Sequence, residues 1–275
     1  MRKNYFEILD EIDLDVTLEL QKLHGLIREQ IWSAEIGRYC SLYELISISF
    51  RDYVRRKHFL ELDEFLNEWA RKTNILSQEE RYFCYAELYL DLFSVLMPLE
   101  DSNIKSQTMV VYNQINIVIN IYGYSLKCIN DRLIIVEDNV FANEAAQAVS
   151  EFADVKEALS ILEYNHFSNK GNIDRKKEIL IKIASLLEPW RDDLNNNIAF
   201  KNVLKLDNNK VLAVEKLFRM FNTLNIRHNN DGQQLTNMDN NTVEAWYDKI
   251  YTMSLFVILG KDVAQILADF NKFVD

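Results

Sequence analysis

Six glycines and two prolines in 275 residues leave this chain few ways to turn. Sandwiches and barrels of short strands use Gly and Pro at their many turns. A chain this poor in both is directed toward long helices with few connections. Asn takes over loop duty, in the clusters Asn195-Asn196-Asn197, Asn208-Asn209, Asn229-Asn230 and Asn240-Asn241. Its short amide tolerates left-handed backbone and caps helix N-termini.

Apolar residues recur at helical spacing through the first half. Leu18, Leu20, Leu23, Leu26, Ile27, Ile31 and Trp32 predict an amphipathic helix from about Leu14 to Arg38. Ser41 with Glu44, and Ser77 with Glu80, have capping-box spacing and open two further helices. The first of these carries Leu42 to Val54 and ends in the basic run RDYVRRKH. The second is apolar on most sides, from Tyr82 to Leu96, and reads as the central buried helix of this half. A helix from about Leu60 to Lys72 lies between them. Another, Ile104 to Tyr122, follows Pro98.

The period then changes. GYSLKCINDRLIIVED alternates apolar and polar residues on either side of Asn130-Asp131, the pattern of a β-hairpin. Helical spacing resumes afterwards, with helices predicted at 143–152, at 155–167, from about 173 to the turn before Pro189, from 208 or 209 to 224, and at 243–259. The expected fold is all-α, with two helical halves at residues 1–122 and 140–275. One short β-hairpin near residues 124–137 forms a wing or boundary over 123–139.

Composition narrows the function. Net charge is −11, which disfavours charge-driven binding to DNA or to RNA at large and leaves room for a local site. Cys40, Cys84 and Cys128 are odd in number and far apart, and read as reduced, buried thiols. The N-terminus lacks the apolar core of a signal peptide, and no uncharged apolar run reaches the roughly 18 residues of a membrane span. The expectation is a cytoplasmic protein with no membrane partner. Nucleotide-binding loops, zinc-protease, serine-hydrolase and calcium-loop motifs are all absent.

Few residues are left to carry chemistry. Glu163-Tyr164-Asn165-His166 has the Glu-x-x-His spacing of a bundle metal site, but that chemistry needs a second copy and the sequence has none. No metal and no cofactor are expected. The basic groups Arg51, Arg55, Arg56, Lys57 and His58, and Lys170, Arg175, Lys176 and Lys177, read as solvated helix-end charges in preference to phosphate contacts. The 13 tyrosines would line a pocket if the protein sensed a small ligand, although aromatic stripes at helical spacing are usually core. That leaves LNIRHNNDG, Leu224 to Gly232. Arg227 offers a fixed cationic fork, His228 can move a proton near neutral pH, and Asn229 and Asn230 donate and accept hydrogen bonds. This is a toolkit for cleaving RNA without a metal. The same residues can also tie two helices together or close a turn.

Three stretches carry a resemblance: EYNHFSNKGNIDRKKEILIKIASLLEPWRDDL (Glu163 to Leu194), LFRMFNTLNIRHNN (Leu217 to Asn230) and EAWYDKIYTMSLFVIL (Glu244 to Leu259). Together they resemble the helical C-terminal module of bacterial abortive-infection-type proteins and, more loosely, the HEPN superfamily. The match covers the last ~115 residues, a domain-sized piece. It implies a phage-defence setting, a toxin that cleaves RNA, and self-association as a homodimer. Arg227 matches the superfamily's catalytic Arg and His228 the polar residue after it. The superfamily's His a few residues downstream is missing, since positions 231–234 read Asp, Gly, Gln, Gln. The resemblance thus implies either catalysis by Arg227 and His228, with Asn229 and Asn230 positioning substrate, or a non-catalytic relative used for binding and dimerisation.

Overall fold

The computed structural model describes residues 14–129, 132–152, 155–204, 206–207, 210–226 and 238–274. The chain is all-α with short two-stranded hairpins. It divides into two compact units, and the division falls within the hairpin at 124–137.

In the first unit α1 (Val16–Arg28) starts at Asp15, whose carboxylate accepts from the Thr17 and Leu18 N–H groups. The spacing predicts helix to Arg38, but the chain leaves it at Glu29. It forms a hairpin of β1 (Ile31–Ser33) and β2 (Arg38–Cys40), with Ile31 opposite Cys40. Gly37 makes the turn possible, with φ at +73° and its N–H on the Ser33 carbonyl at 2.9 Å. Ile31 and Trp32 continue the helical count only by coincidence. Next come α2 (Leu42–Ser49) and α3 (Leu62–Thr73), then α4 (Gln78–Leu92) and α5 (Ser102–Ile121). Ser41 caps α2 by accepting from Glu44 N–H, and Ser77 with Glu80 makes a complete capping box on α4. Tyr82, Phe83, Ala86, Leu88 and Leu92 bury α4 on several sides, and α1 packs along it and along α5.

Asp101 ties this unit together. It caps α5 through the Asn103 and Ile104 N–H groups and also accepts from Glu35 N–H and Ser33 Oγ in the β1–β2 hairpin. The Glu35 N–H and the Ser33 hydroxyl lead a set of donors that lowers its pKa to about 2. Beyond α5 come β3 (Tyr124–Ile129) and β4 (Arg132–Glu137), paired as a two-stranded sheet.

The second unit holds α6 (Val140–Phe152), α7 (Val155–Glu163) and α8 (Ile173–Leu187). Small side chains at Ala142, Ala145, Ala146 and Ala158 let α6 and α7 approach closely. Where the Asn195–Asn197 run predicts a polar loop, two short helices stand instead, α9 (Arg191–Asn196) and α10 (Ile198–Val203). Asn197 caps α10 by accepting from Phe200 N–H at 2.9 Å. Asn195 turns inward to bond Glu215 and Val211 N–H. A short hairpin of β5 (Leu206–Asp207) and β6 (Lys210–Val211) leads into α11 (Leu212–Thr223).

The last helix, α12 (Asn240–Val274), runs unbroken where the sequence predicts a stop near Leu259. Tyr247, Ile250, Tyr251, Leu255 and Ile258 form its core face. Gly260 permits its close approach to α10: a Cβ there would sit 2.9 Å from the Phe200 ring. Within α12, Asn240–Leu267 is long and apolar enough to cross a membrane by length and composition. It contains no uncharged run of that length, because Asp248 and Lys249 precede its most apolar part and Lys261 and Asp262 follow it. One side of that stretch is the core of the unit.

Candidate functional site

Arg227, His228, Asn229 and Asn230 lie outside the described residues. The described residues on either side are Leu224–Ile226 and Met238–Asp239. Helix α11 closes on Asn225, which adopts the left-handed conformation at φ 55°. Asn225 N–H bonds the Asn222 carbonyl, and Ile226 N–H reaches back to the Phe221 carbonyl at 2.9 Å. This is a Schellman closure, with Asn in the position Gly usually takes. Ile226 is buried against the core immediately before Arg227. At the other end Asp239 caps α12, accepting from Thr242 N–H and Oγ1. These donors, the Thr242 N–H foremost, hold its carboxyl below its usual range. The sequence places the cap at Asn240 or Asn241, whereas the acid just before them takes it.

Beside this anchor is a dense ionic junction. Lys176 is buried between Glu244 and Asp248 of α12, at 2.7 Å from each. Glu244 also accepts from Gly171 N–H at 2.8 Å, and Asp248 from the Tyr164 hydroxyl at 2.8 Å. Burial opposes the charge on Glu244, but Lys176 and the Gly171 N–H overcome it and hold the carboxyl below its usual range. Tyr164 stacks on Tyr251 with ring centroids 4.0 Å apart, and Tyr251 donates to the Ile161 carbonyl while accepting from Asn165. A hollow of about 520 Å³ adjoins the junction, lined by Lys170, Gly171, Asn172, Ile173, Asp174 and Asn240. Asn240 belongs to the first turn of α12, just past the end of the LNIRHNNDG segment's connection.

The other candidates resolve into ordinary contacts. Glu163 is held by Arg175 and Lys182, while His166 Nδ1 bonds Ser168, so the Glu-x-x-His pair serves two different partners. Arg55 and Tyr53 share Asp91, Arg51 lies 3.6 Å from Glu61, and Arg56 donates to the Arg51 and Phe59 carbonyls. Tyr82, Tyr85, Tyr89, Tyr164, Tyr247 and Tyr251 are core residues of their own units. Cys40 is buried and Cys84 half-buried, where burial pushes its thiol up to about 12. Cys128 is exposed, contrary to its reading as a buried thiol.

One constellation has no signal in the sequence. His24 and Arg28 stand one turn apart on α1, and Arg81, Tyr85 and Tyr89 recur every four residues on α4. Packing of the two helices brings the stripes together. His24 Nδ1 lies 2.6 Å from the Tyr89 hydroxyl, and its ring meets Tyr85 edge-on at 4.9 Å. Burial, then Arg28, then Arg81, lower the His24 pKa, so the imidazole is neutral at pH 7. The i, i+4 repeat on both helices is visible in the residues, but nothing in the sequence says that these two faces meet.

No family model, curated protein or solved structure matches this chain.

Proposed function

We propose that this chain is a cytosolic, HEPN-like protein of the bacterial abortive-infection type, whose second unit cleaves RNA without a metal. The observation that carries this reading is the Schellman closure at Asn225 with Ile226 buried behind it. It packs the chain as far as Ile226, the residue before Arg227, and reactive groups need positioning. Supporting it, Glu244 and Asp248, the acids in the first turns of α12, are already engaged by Lys176. The polar hollow at Lys170–Asp174 and Asn240 offers room for a nucleotide phosphate and sugar.

In this mechanism Arg227 binds the scissile phosphate and stabilises the charge of the phosphorane. His228 removes the proton from the 2′-hydroxyl as its oxygen attacks phosphorus. The resulting imidazolium then returns a proton to the departing 5′-oxygen, leaving a 2′,3′-cyclic phosphate. Asn229 and Asn230 hold the ribose and base. Since the superfamily's downstream His is missing, His228 performs both transfers. The purified protein is expected to cut RNA in the presence of a chelator and to leave cyclic-phosphate ends. Arg227→Ala with His228→Ala is expected to abolish cutting. RNA left intact by high concentrations of the unmodified protein overturns this reading.

A second reading, a non-catalytic self-association module, is favoured by one observation. Met253, Phe256, Val263 and Ile266 are exposed along one side of α12, spaced three, seven and three residues apart. That is the interval of a helix-pairing seam. Light scattering should then show a dimer that Phe256→Glu with Val263→Glu converts to monomer, and a monomeric unmodified protein retires it.

A further inference from the structure

The α1–α4 face of the first unit gathers donors with no carboxylate in ion-pair contact among the described residues. The Arg28 guanidinium carbon sits 4.0 Å above the Tyr43 ring, and the hydroxyl of Tyr43 is committed to Asp63. Arg81 is half-buried, and its Nε, shielded from solvent, has no acceptor among the described residues. Neither guanidinium has a carboxylate within ion-pair distance among the described residues, although Arg38, Arg55, Arg71, Arg175 and Arg191 each have one. The contrast is sharp in a chain whose acids outnumber its bases 42 to 31.

His24 completes the set. The hydroxyl of Tyr89 has only the His24 ring as partner among the described residues, and burial keeps that phenol protonated. When Tyr89 donates to Nδ1, the neutral imidazole carries its hydrogen on Nε2, which becomes a third donor. Among the described residues the charged and titratable groups acting on His24 are Arg28 and Arg81, with the phenols of Tyr85 and Tyr89 in contact. Two guanidinium forks and an imidazole N–H match an anion that has several acceptor oxygens in a fixed geometry.

We propose that Arg28, Arg81 and His24 form a binding site for a phosphate group on the α1–α4 face of the first unit. The experiment is an NMR titration of the full chain, following the histidine ring protons, with inorganic phosphate against chloride at equal ionic strength. Comparison with the His24→Gln spectrum assigns the His24 signal. Phosphate in the millimolar range is expected to move that signal saturably and to raise the pH at which His24 titrates. Arg28→Gln changes an exposed side chain and should weaken phosphate binding by about tenfold, the equivalent of one charge-assisted hydrogen bond. Arg28→Lys should fall between the two, since it keeps the charge and loses the fork.

A second arm replaces phosphate with adenosine monophosphate. Tighter binding assigns the site to nucleotides, and equal binding assigns it to the phosphate group alone. The site is overturned if His24 responds equally to chloride. It is also overturned if phosphate binds the Arg28→Gln, Arg81→Gln protein, shown folded by circular dichroism, as it binds the parent. Movement of the His228 signal alone belongs to the RNA-cleaving segment and also overturns this site.

Discussion

In the second unit, buried Lys176 is flanked by Glu244 and Asp248, and those acids are in turn satisfied by Gly171 N–H and the Tyr164 hydroxyl. Glu215 is treated alike, between Arg191, Asn195 and Lys210. In the first unit, Arg28 and Arg81 stand by a neutral imidazole and aromatic rings, with no carboxylate within ion-pair distance of either among the described residues. A charge whose hydrogen bonds are all made inside the protein does structural work, and removing it leaves its partners exposed to the full cost of burial. A charge that has no internal counter-ion contributes little to folding and keeps its capacity for a ligand. The comparison therefore separates what holds the fold from what can bind.

Breaking the saturated side should have the largest effect. Lys176→Ala leaves two carboxylates and a buried phenol without their cation. It should lower stability by about 3 kcal/mol, at the low end for a broken buried pair because Asp248 is half exposed. Chemical denaturation measures the loss, and hydrogen exchange should place it in α8 and α12. Arg28→Gln should stay within about 0.5 kcal/mol of the parent. Equal losses in the two variants would remove the distinction.

A pair of glycines makes the same contrast in packing. Alanine is normally the better helix former by about 1 kcal/mol, and a methyl group added at Gly25 in α1 would meet nothing within 4 Å, so Gly25→Ala should stabilise by about that amount. At Gly260 the sign reverses. The new methyl would meet the Phe200 ring at 2.9 Å, and overpacking should cost about 2 kcal/mol. Thermal melts of the two variants moving in the same direction would contradict the close packing of α10 on α12.

The elements most legible from sequence are those signalled by a local rule. Ser41, Ser77 and Glu80 mark helix starts because capping is decided within four residues. Alternation around Asn130-Asp131 marks β3 and β4 for the same reason. Where tertiary contacts override local pattern, the sequence misleads. Ile31 and Trp32 keep the helical count although Gly37 allows a hairpin. The Asn195–Asn197 run has the composition of a loop, yet Asn197 caps a helix and Asn195 reaches Glu215 and Val211. The ionic junction is half visible, since Lys176 stands out as a basic residue near a helix start but its acids lie some seventy positions later. The His24 constellation is hidden altogether, because a stripe on α1 acquires meaning only from the stripe it meets on α4.

The smallest expected effect tests the binding side of the comparison. An unfolded His24 takes up a proton near its usual pKa of 6.5, whereas burial, Arg28 and Arg81 delay that step in the folded chain. Between the two values the unfolded state binds more protons, so stability must fall as pH drops through 6.5 and keep falling to the lower, folded pKa. His24→Gln should flatten this limb, read by hydrogen exchange in α1 and α4 at a series of pH values. Phosphate should flatten it too, because a bound anion offsets the two guanidinium groups and brings the folded pKa back toward the unfolded one. Asp101 loses its own contribution only as pH falls from its usual 3.8 toward about 2, so its limb begins at a lower pH than the His24 limb, which begins near 6.5. A limb that His24→Gln leaves unchanged would show that the cations on α1 and α4 do not act on this imidazole, and the two units would then differ in partners but not in kind.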